Sequence, residues 1–185
     1  MGDRAQSRPV RAAARGGRSG RAAREEIAGL YEEHVWGVHG FFGYRVASRA
    51  DAEDLTQLTF ERAMRAWGRF DPDRASARTW LMSIANNLLI DHYRRDRTTR
   101  QEPIEDHLSR RELITEDPDL GLSPELAAAL EELGEREREL IALRFGGELT
   151  GPEIADLTGL TLANVQQILS RSLRKIRAAL EQGER

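Results

Sequence analysis

Between Thr161 and Leu180 the chain carries Asn164, Gln166, Gln167, Ser170, Arg171, Arg174 and Lys175, and no acidic residue among them. Side-chain amides pair bidentately with adenine edges, and Arg pairs with guanine or phosphate. These polar groups interleave with Val165, Ile168, Leu169, Leu173, Ile176 and Leu180 at three- and four-residue spacing. A helix with that period turns one set inward and the other outward. Just upstream, Pro152–Leu157 reads as a short helix closed by Thr158-Gly159-Leu160. Two helices crossing over so tight a turn need a small residue in the first, a Gly in the turn and a branched apolar residue in the second. Ala155, Gly159 and Val165 meet the three requirements of a helix-turn-helix. Its second helix would enter the major groove with its N-terminal half, and its Arg-rich end would rest on phosphates.

Other chemistries find little support. The four His are His34, His39, His92 and His107, and there is no Cys. Zinc sites on one helix use His at i and i+4, whereas His34 and His39 are five apart and His107 lies in a linker. Cysteine catalysis, thiolate zinc sites and disulfide scaffolds are excluded. No Gly-rich phosphate fingerprint is present. The sequence predicts no cofactor, no metal and no enzyme.

The elements that must carry these residues are all helical in pattern. Ile27, Leu30, Tyr31, Val35, Val38, Phe41, Phe42 and Val46 fall on one helix face. Gly37, Gly40 and Gly43 interrupt it, permitting either close helix packing or a bend. Asp51 is the expected N-cap of a second helix, with Glu53 and Asp54 at its positive end. Phe60, Ala63, Met64 and Trp67 form its apolar face, while Asp54, Gln57 and Glu61 lie on another face. Gly68 and Asp71-Pro72 end it. A third helix opens at Ser76 or Ala77 and runs to about Arg95, with Trp80, Leu81, Ile84, Ala85 and Leu88 inward. Ser123-Pro124 starts a fourth, Glu135–Phe145 a fifth stopped by Gly146-Gly147, and Thr150 with Glu153 fits a capping box. Nothing alternates with period two for long enough to be a strand.

The expected fold is all-α, two small helical domains joined by a flexible acidic linker. The boundaries are a disordered Arg-rich arm over 1–24, a first domain over 25–97, the linker over 98–122 and a second domain over 123–185. The arm holds seven Arg against Asp3, and Thr98–Ser123 holds three Arg against seven acids, within a net charge of −3 for all 185 residues. An acidic chain with one purely basic helix points to nucleic acid met locally. No apolar run approaches the roughly 20 residues needed to cross a bilayer, so no membrane insertion is expected. The lack of disulfides suits a reducing cytoplasm.

Asp51-Ala-Glu-Asp-Leu-Thr-Gln-Leu-Thr-Phe60, then Trp80-Leu-Met-Ser-Ile-Ala-Asn-Asn87, then the helix-turn-helix resemble, in that order, the ECF (extracytoplasmic function, group IV) sigma factors of bacterial RNA polymerase. The resemblance covers about Glu25–Arg97 as region two and Ser123–Leu180 as region four. It implies a transcription initiation factor that binds core RNA polymerase, directs it to promoters and helps to melt the minus-ten element. Asp54, Gln57 and Glu61 would meet the beta-prime coiled coil, and region four the beta flap. Trp80 would lie at the unwinding point, although its spacing also places it beside the core. Asn87 matches the position near the captured minus-ten base, Phe70–Arg78 the pocket rim, and Arg94, Arg95 and Arg97 the backbone contacts. Asn164, Gln166, Gln167, Ser170, Arg171, Arg174 and Lys175 would face the minus-thirty-five element. An anti-sigma factor is a further partner of the kind such proteins have. The sequence departs from the family where Leu58 replaces a usual acid and where Gln166-Gln167-Ile168 replaces a Lys-Ser-Arg-like triplet. The competing expectation is a free-standing helix-turn-helix regulator that binds duplex DNA alone as a dimer.

Overall fold

A computed structural model describes residues 20–46, 48–99 and 122–183, and within them the chain forms seven α-helices and no strand. The helices are α1 Gly20–Gly43, α2 Arg49–Ala66, α3 Ala77–Thr99, α4 Pro124–Glu131, α5 Glu135–Ile141, α6 Gly151–Thr158 and α7 Leu162–Gly183. A 3₁₀ turn, Trp67–Arg69, follows α2, and a π-helical turn, Ala142–Gly146, follows α5. The expected arm over 1–24 lies outside the described residues as far as position 19, and α1 begins at Gly20, ahead of Glu25. Most of the acidic linker, 100–121, also lies outside them.

Local signals set the helix ends. Ser48, not Asp51, caps α2: its Oγ accepts from the Asp51 amide at 3.0 Å, and Asp51 sits in the first turn instead. Both residue types favour the position, and the chain enters the helix one turn earlier than the acidic cluster suggests. Ser76 caps α3, accepting from the Thr79 amide at 3.1 Å. Ser123 caps α4 with Pro124 behind it. The end of α4 is closed by Arg138, which donates to the carbonyls of Leu130, Glu131 and Leu133 at 3.0–3.2 Å. Thr150 and Glu153 form the reciprocal capping box at the start of α6.

Helices α1, α2 and α3 pack around Val38, Phe41, Phe42, Leu55, Phe60, Leu81, Ala85, Leu88 and Leu89. Helices α4 to α7 form a second group around Ala129, Leu130, Leu133, Ile141 and Ile176. The two groups share a core rather than standing apart. Leu140, Leu143, Leu149 and Ile154 from the second group join one buried cluster with the apolar face of α1–α3.

The crossing of α1 over the π-helical turn depends on glycine. A Cβ at Gly146 would stand 2.5 Å from the Phe41 amide nitrogen and 2.6 Å from the Gly40 carbonyl carbon. At Gly40 it would stand 3.2 Å from the Gly146 carbonyl oxygen. Of the two uses open to the α1 glycines, Gly40 therefore serves close packing. Polar pairs surround the seam: Arg45 to Glu135 at 3.1 Å and Arg78 to Glu148 at 3.1 Å. Glu135 and Glu148 are largely exposed, so each pair contributes at most about 1 kcal/mol. Burying one Phe or Leu contributes about 1.5–3 kcal/mol, so apolar contact holds the seam and the ion pairs set its register.

Candidate nucleic-acid and protein interfaces

Region 151–183 has the crossing that the sequence predicts. Gly159 adopts the left-handed conformation at φ 70°, which a side chain would strain. Ala155 and Val165 are buried at the crossing. Thr161 caps α7 through the Asn164 amide at 3.2 Å. Asn164, Gln166, Gln167, Ser170, Arg171, Arg174 and Lys175 are all exposed, so the structure brings the expected row to one solvent-facing side.

Two details of α7 differ from the sequence pattern. Leu173, expected inward, is 44% exposed, and Ser172 takes the buried place, its Oγ donating to the Ile168 carbonyl at 2.9 Å. Val165, Leu169, Ser172 and Ile176 follow the helical period more closely than a set containing Leu173; an apolarity count misses a back-bonded Ser. Lys175 is bonded to both oxygens of Glu137 on α5 at 2.8 Å. That ammonium, with the Gly134 amide, holds the Glu137 carboxyl below the ordinary range despite partial burial.

On α2, Asp54 and Gln57 are exposed and Glu61 is half-buried. Gln57 donates to Glu61 at 3.2 Å, and Arg65 stands 3.6 Å from the same carboxylate. Beside this row a groove runs between α1 and α2, lined by Tyr31, Trp36, Phe60, Gln57, Glu61 and Met64. Trp36 is 80% exposed and Met64, expected in the core, is 52% exposed. The sequence pattern missed Trp36, whose signal is that it stands off the apolar face of α1. Leu58, the departure from the family pattern, is exposed too.

Helix α3 carries Trp80, Ile84, Asn87, Asp91 and Arg94 at alternating four- and three-residue spacing, hence on one face. Trp80 is half-buried and closes an aromatic triangle with Trp67 and Phe70, centroids 5.1–5.8 Å apart. The ring of Trp80 thus packs, as its spacing beside the core predicts, and it does so where the 70–78 loop meets α3. Asn87, Arg94 and Arg95 are exposed, and Asp91 holds Arg94 at 3.0 Å and Arg62 at 3.6 Å. The side chain of Arg97 lies outside the described residues.

The 70–78 loop is not open to solvent on all sides. Glu153 of α6 accepts from Thr79 at 2.9 Å and from Ser76 at 3.2 Å, and Arg78 reaches Glu148. Burial pushes the Glu153 carboxyl up, yet the hydrogen bonds from Thr150, Thr79 and Ser76 outweigh it and leave the pKa lowered. A cluster of His, Asp and Glu that could hold a metal ion is absent among the described residues.

Comparison with known proteins settles the family. The Sigma-70 region 2 family matches residues 30–99, and Sigma-70, region 4 matches residues 129–178. The chain is 31% identical over 158 residues to the ECF RNA polymerase sigma factor RpoE of Cereibacter sphaeroides, covering 82% of this chain and 84% of that one. The chain belongs to the ECF sigma factors. It is also 30% identical over 151 residues to BldN of Streptomyces coelicolor, covering 80% of this chain and 57% of that longer protein. Among solved structures, CnrH in complex with the cytosolic domain of CnrY aligns at TM-score 0.58 and 27% identity, covering 89% of this chain and 90% of CnrH.

As a sigma factor the protein is a transcription initiation factor, a class that works with RNA polymerase at promoter DNA. The free-standing regulator is not favoured, because the region 2 match accounts for the N-terminal helices that such a regulator would use otherwise. Among the described residues no helix is long and apolar enough to cross a membrane.

Proposed function

We propose that the sigma factor divides its work among three exposed surfaces. Asp54, Gln57 and Glu61 of α2 meet basic groups of the beta-prime coiled coil, and region 4 meets the beta flap. Asn164, Gln166, Gln167 and Ser170 read the minus-thirty-five element, with Arg171, Arg174 and Lys175 on phosphates. Trp80, Asn87, Arg94, Arg95 and Arg97, with the 70–78 loop, serve strand opening at the minus-ten element. The observation that carries this division is the exposure of Asn87 on the α3 face that begins at the aromatic triangle. Unstacking a base costs a few kcal/mol, and an amide beside aromatic faces offsets it.

An anti-sigma factor is a further proposed partner. The likeness to CnrH, solved with the cytosolic domain of CnrY, supports that reading. The proposed site of action is the cytoplasm, where the polymerase is. Run-off transcription from genomic fragments tests the whole assignment. The protein alone yields no transcript, and core polymerase with it yields discrete promoter-specific starts. Tight sequence-specific binding to promoter duplex by the isolated protein, with no association with core enzyme, would overturn it.

A further inference from the structure

The sequence carries a run of Arg ahead of the first helix, and α1 fixes where that run is delivered. Arg4, Arg8, Arg11, Arg15 and Arg18 recur at alternating four- and three-residue steps, with Asp3 the sole acid among residues 1–19. Met1 and Val10 are the only large apolar side chains in that stretch. It therefore has little to bury in an apolar groove such as the one beside Trp36. In an extended chain successive Arg of this run stand about 10–13 Å apart, far enough to meet separate phosphates of a nucleic-acid strand. Helix α1 begins at Gly20, and its Glu26 accepts from the Trp67 indole at 3.0 Å. At 1.5 Å per residue, Gly20 stands about 9 Å along the helix from Glu26. Trp67 in turn stacks on Phe70, centroids 5.1 Å apart, and meets Trp80 edge-on at 5.8 Å. The start of α1 is thereby pinned beside the first residue of the 70–78 loop, and the Arg run ends two residues before Gly20.

We infer that the Arg run is a phosphate-binding arm that grips promoter DNA beside the minus-ten element. The chain as a whole is acidic, at −3, so a local basic run supplies an attraction that the net charge does not. The exposed row of α7 grips duplex at one end of the promoter, and the arm adds a second electrostatic hold next to the bases that must unstack. Phosphate contacts position a protein without reading sequence. The arm therefore adds affinity and salt dependence, and leaves promoter choice to the other surfaces. The inference rests on the reading of the 70–78 loop as promoter-facing. Its own content is the place of the arm on DNA and the number of phosphates it neutralises.

The chain has no Cys, so one introduced thiol is labelled uniquely. Val10→Cys is loaded with an iron chelate before assembly with core polymerase, and hydroxyl-radical cuts are mapped on promoter DNA. Asp73→Cys, on the loop itself, marks the minus-ten region in a second sample. Ten residues of extended chain and the helix from Gly20 to Glu26 together span about 40 Å. The Val10 cuts are therefore expected within roughly a dozen base pairs of the Asp73 cuts. Cuts from Val10 elsewhere, or none, overturn the placement. In parallel, Arg4→Gln, Arg8→Gln, Arg11→Gln, Arg15→Gln and Arg18→Gln are combined in the full chain, and promoter binding by the holoenzyme is measured over a range of salt. At about 0.9 units for each phosphate no longer neutralised, the slope is expected to fall by about two to four units, with start sites and core association unchanged. A fall of less than about two units makes the arm a solvated tail, and lost core association assigns it to the polymerase; either result overturns the inference. Failure of the promoter-facing reading looks different: the Asp73 probe would cut away from the minus-ten element, whatever the arm does.

Discussion

Single side chains divide into those that α7 leaves to solvent and those it uses within the fold. Arg171 and Arg174 project outward, whereas Lys175 is held by both oxygens of Glu137. Arg171→Ala should weaken promoter binding across sequences and lower the salt slope by about one unit. Lys175→Ala should lower it less, because the ammonium must leave Glu137 to reach a phosphate. Equal slopes for the two variants, from binding measured over a range of salt, would show that the Glu137 bond does not compete with DNA. Asn87 offers a second separation. In the proposed division of labour it meets a base only after that base has left the stack, so Asn87→Ala should leave closed-complex formation intact and impair opening. Permanganate reactivity of melted thymines reads this on duplex and pre-melted templates. A defect of the same size on pre-melted DNA lacking the captured base would remove Asn87 from base capture.

At the scale of elements, the sequence carried the helices and the helix-turn-helix because their causes are local. Caps at Ser76, Ser123 and Thr150, the left-handed Gly159, and the small and branched residues Ala155 and Val165 all act within one or two turns. What escaped needed a partner from afar. Met64 fits the apolar period of α2 yet lines an open groove, since nothing among the described residues covers the space beside Trp36. Ser172 sits inward because its hydroxyl bonds back to its own helix, which hydrophobicity cannot report. The Gly40–Gly146 contact joins residues whose proximity no spacing rule links. The α2 row is the element-level claim most open to trial. Asp54→Arg with Glu61→Arg should abolish association with core polymerase. Asp54 is exposed, so its own change should cost within about 0.5 kcal/mol; Glu61 is half-buried and bonded to Gln57 and Arg65, so thermal melting must accompany the binding assay. Undiminished co-purification of the folded double variant with core enzyme would show that the row is merely solvated.

For the whole molecule, the seam makes one body of two modules that the sequence presents as separable, and it buries a titratable group. His34 lies one turn before Gly37 and two before Phe41 on the same side of α1, is only 6% exposed, and its Nδ1 has no hydrogen-bond partner. Burial lowers its pKa below the ordinary 6.5. The charges around it partly offset one another: Glu33 on its own helix and Glu148 from region 4 raise the value, and Arg78 from α3 lowers it. If the seam parts, His34 regains water and an ordinary pKa, so the open form binds the proton more readily than the closed one. The closed form is then favoured in full above pH 6.5, and its advantage falls as the pH drops below 6.5 toward the lowered value. Scattering from pH 7.5 down to about 5.5 should show the free chain expanding as the His becomes protonated. His34→Gln, which keeps a polar side chain but cannot titrate, should flatten that response while leaving the dimensions at pH 7.5 unchanged. An equal expansion in the Gln variant would show that the pH response does not come from His34, which would then be a buried spacer with no part in the seam.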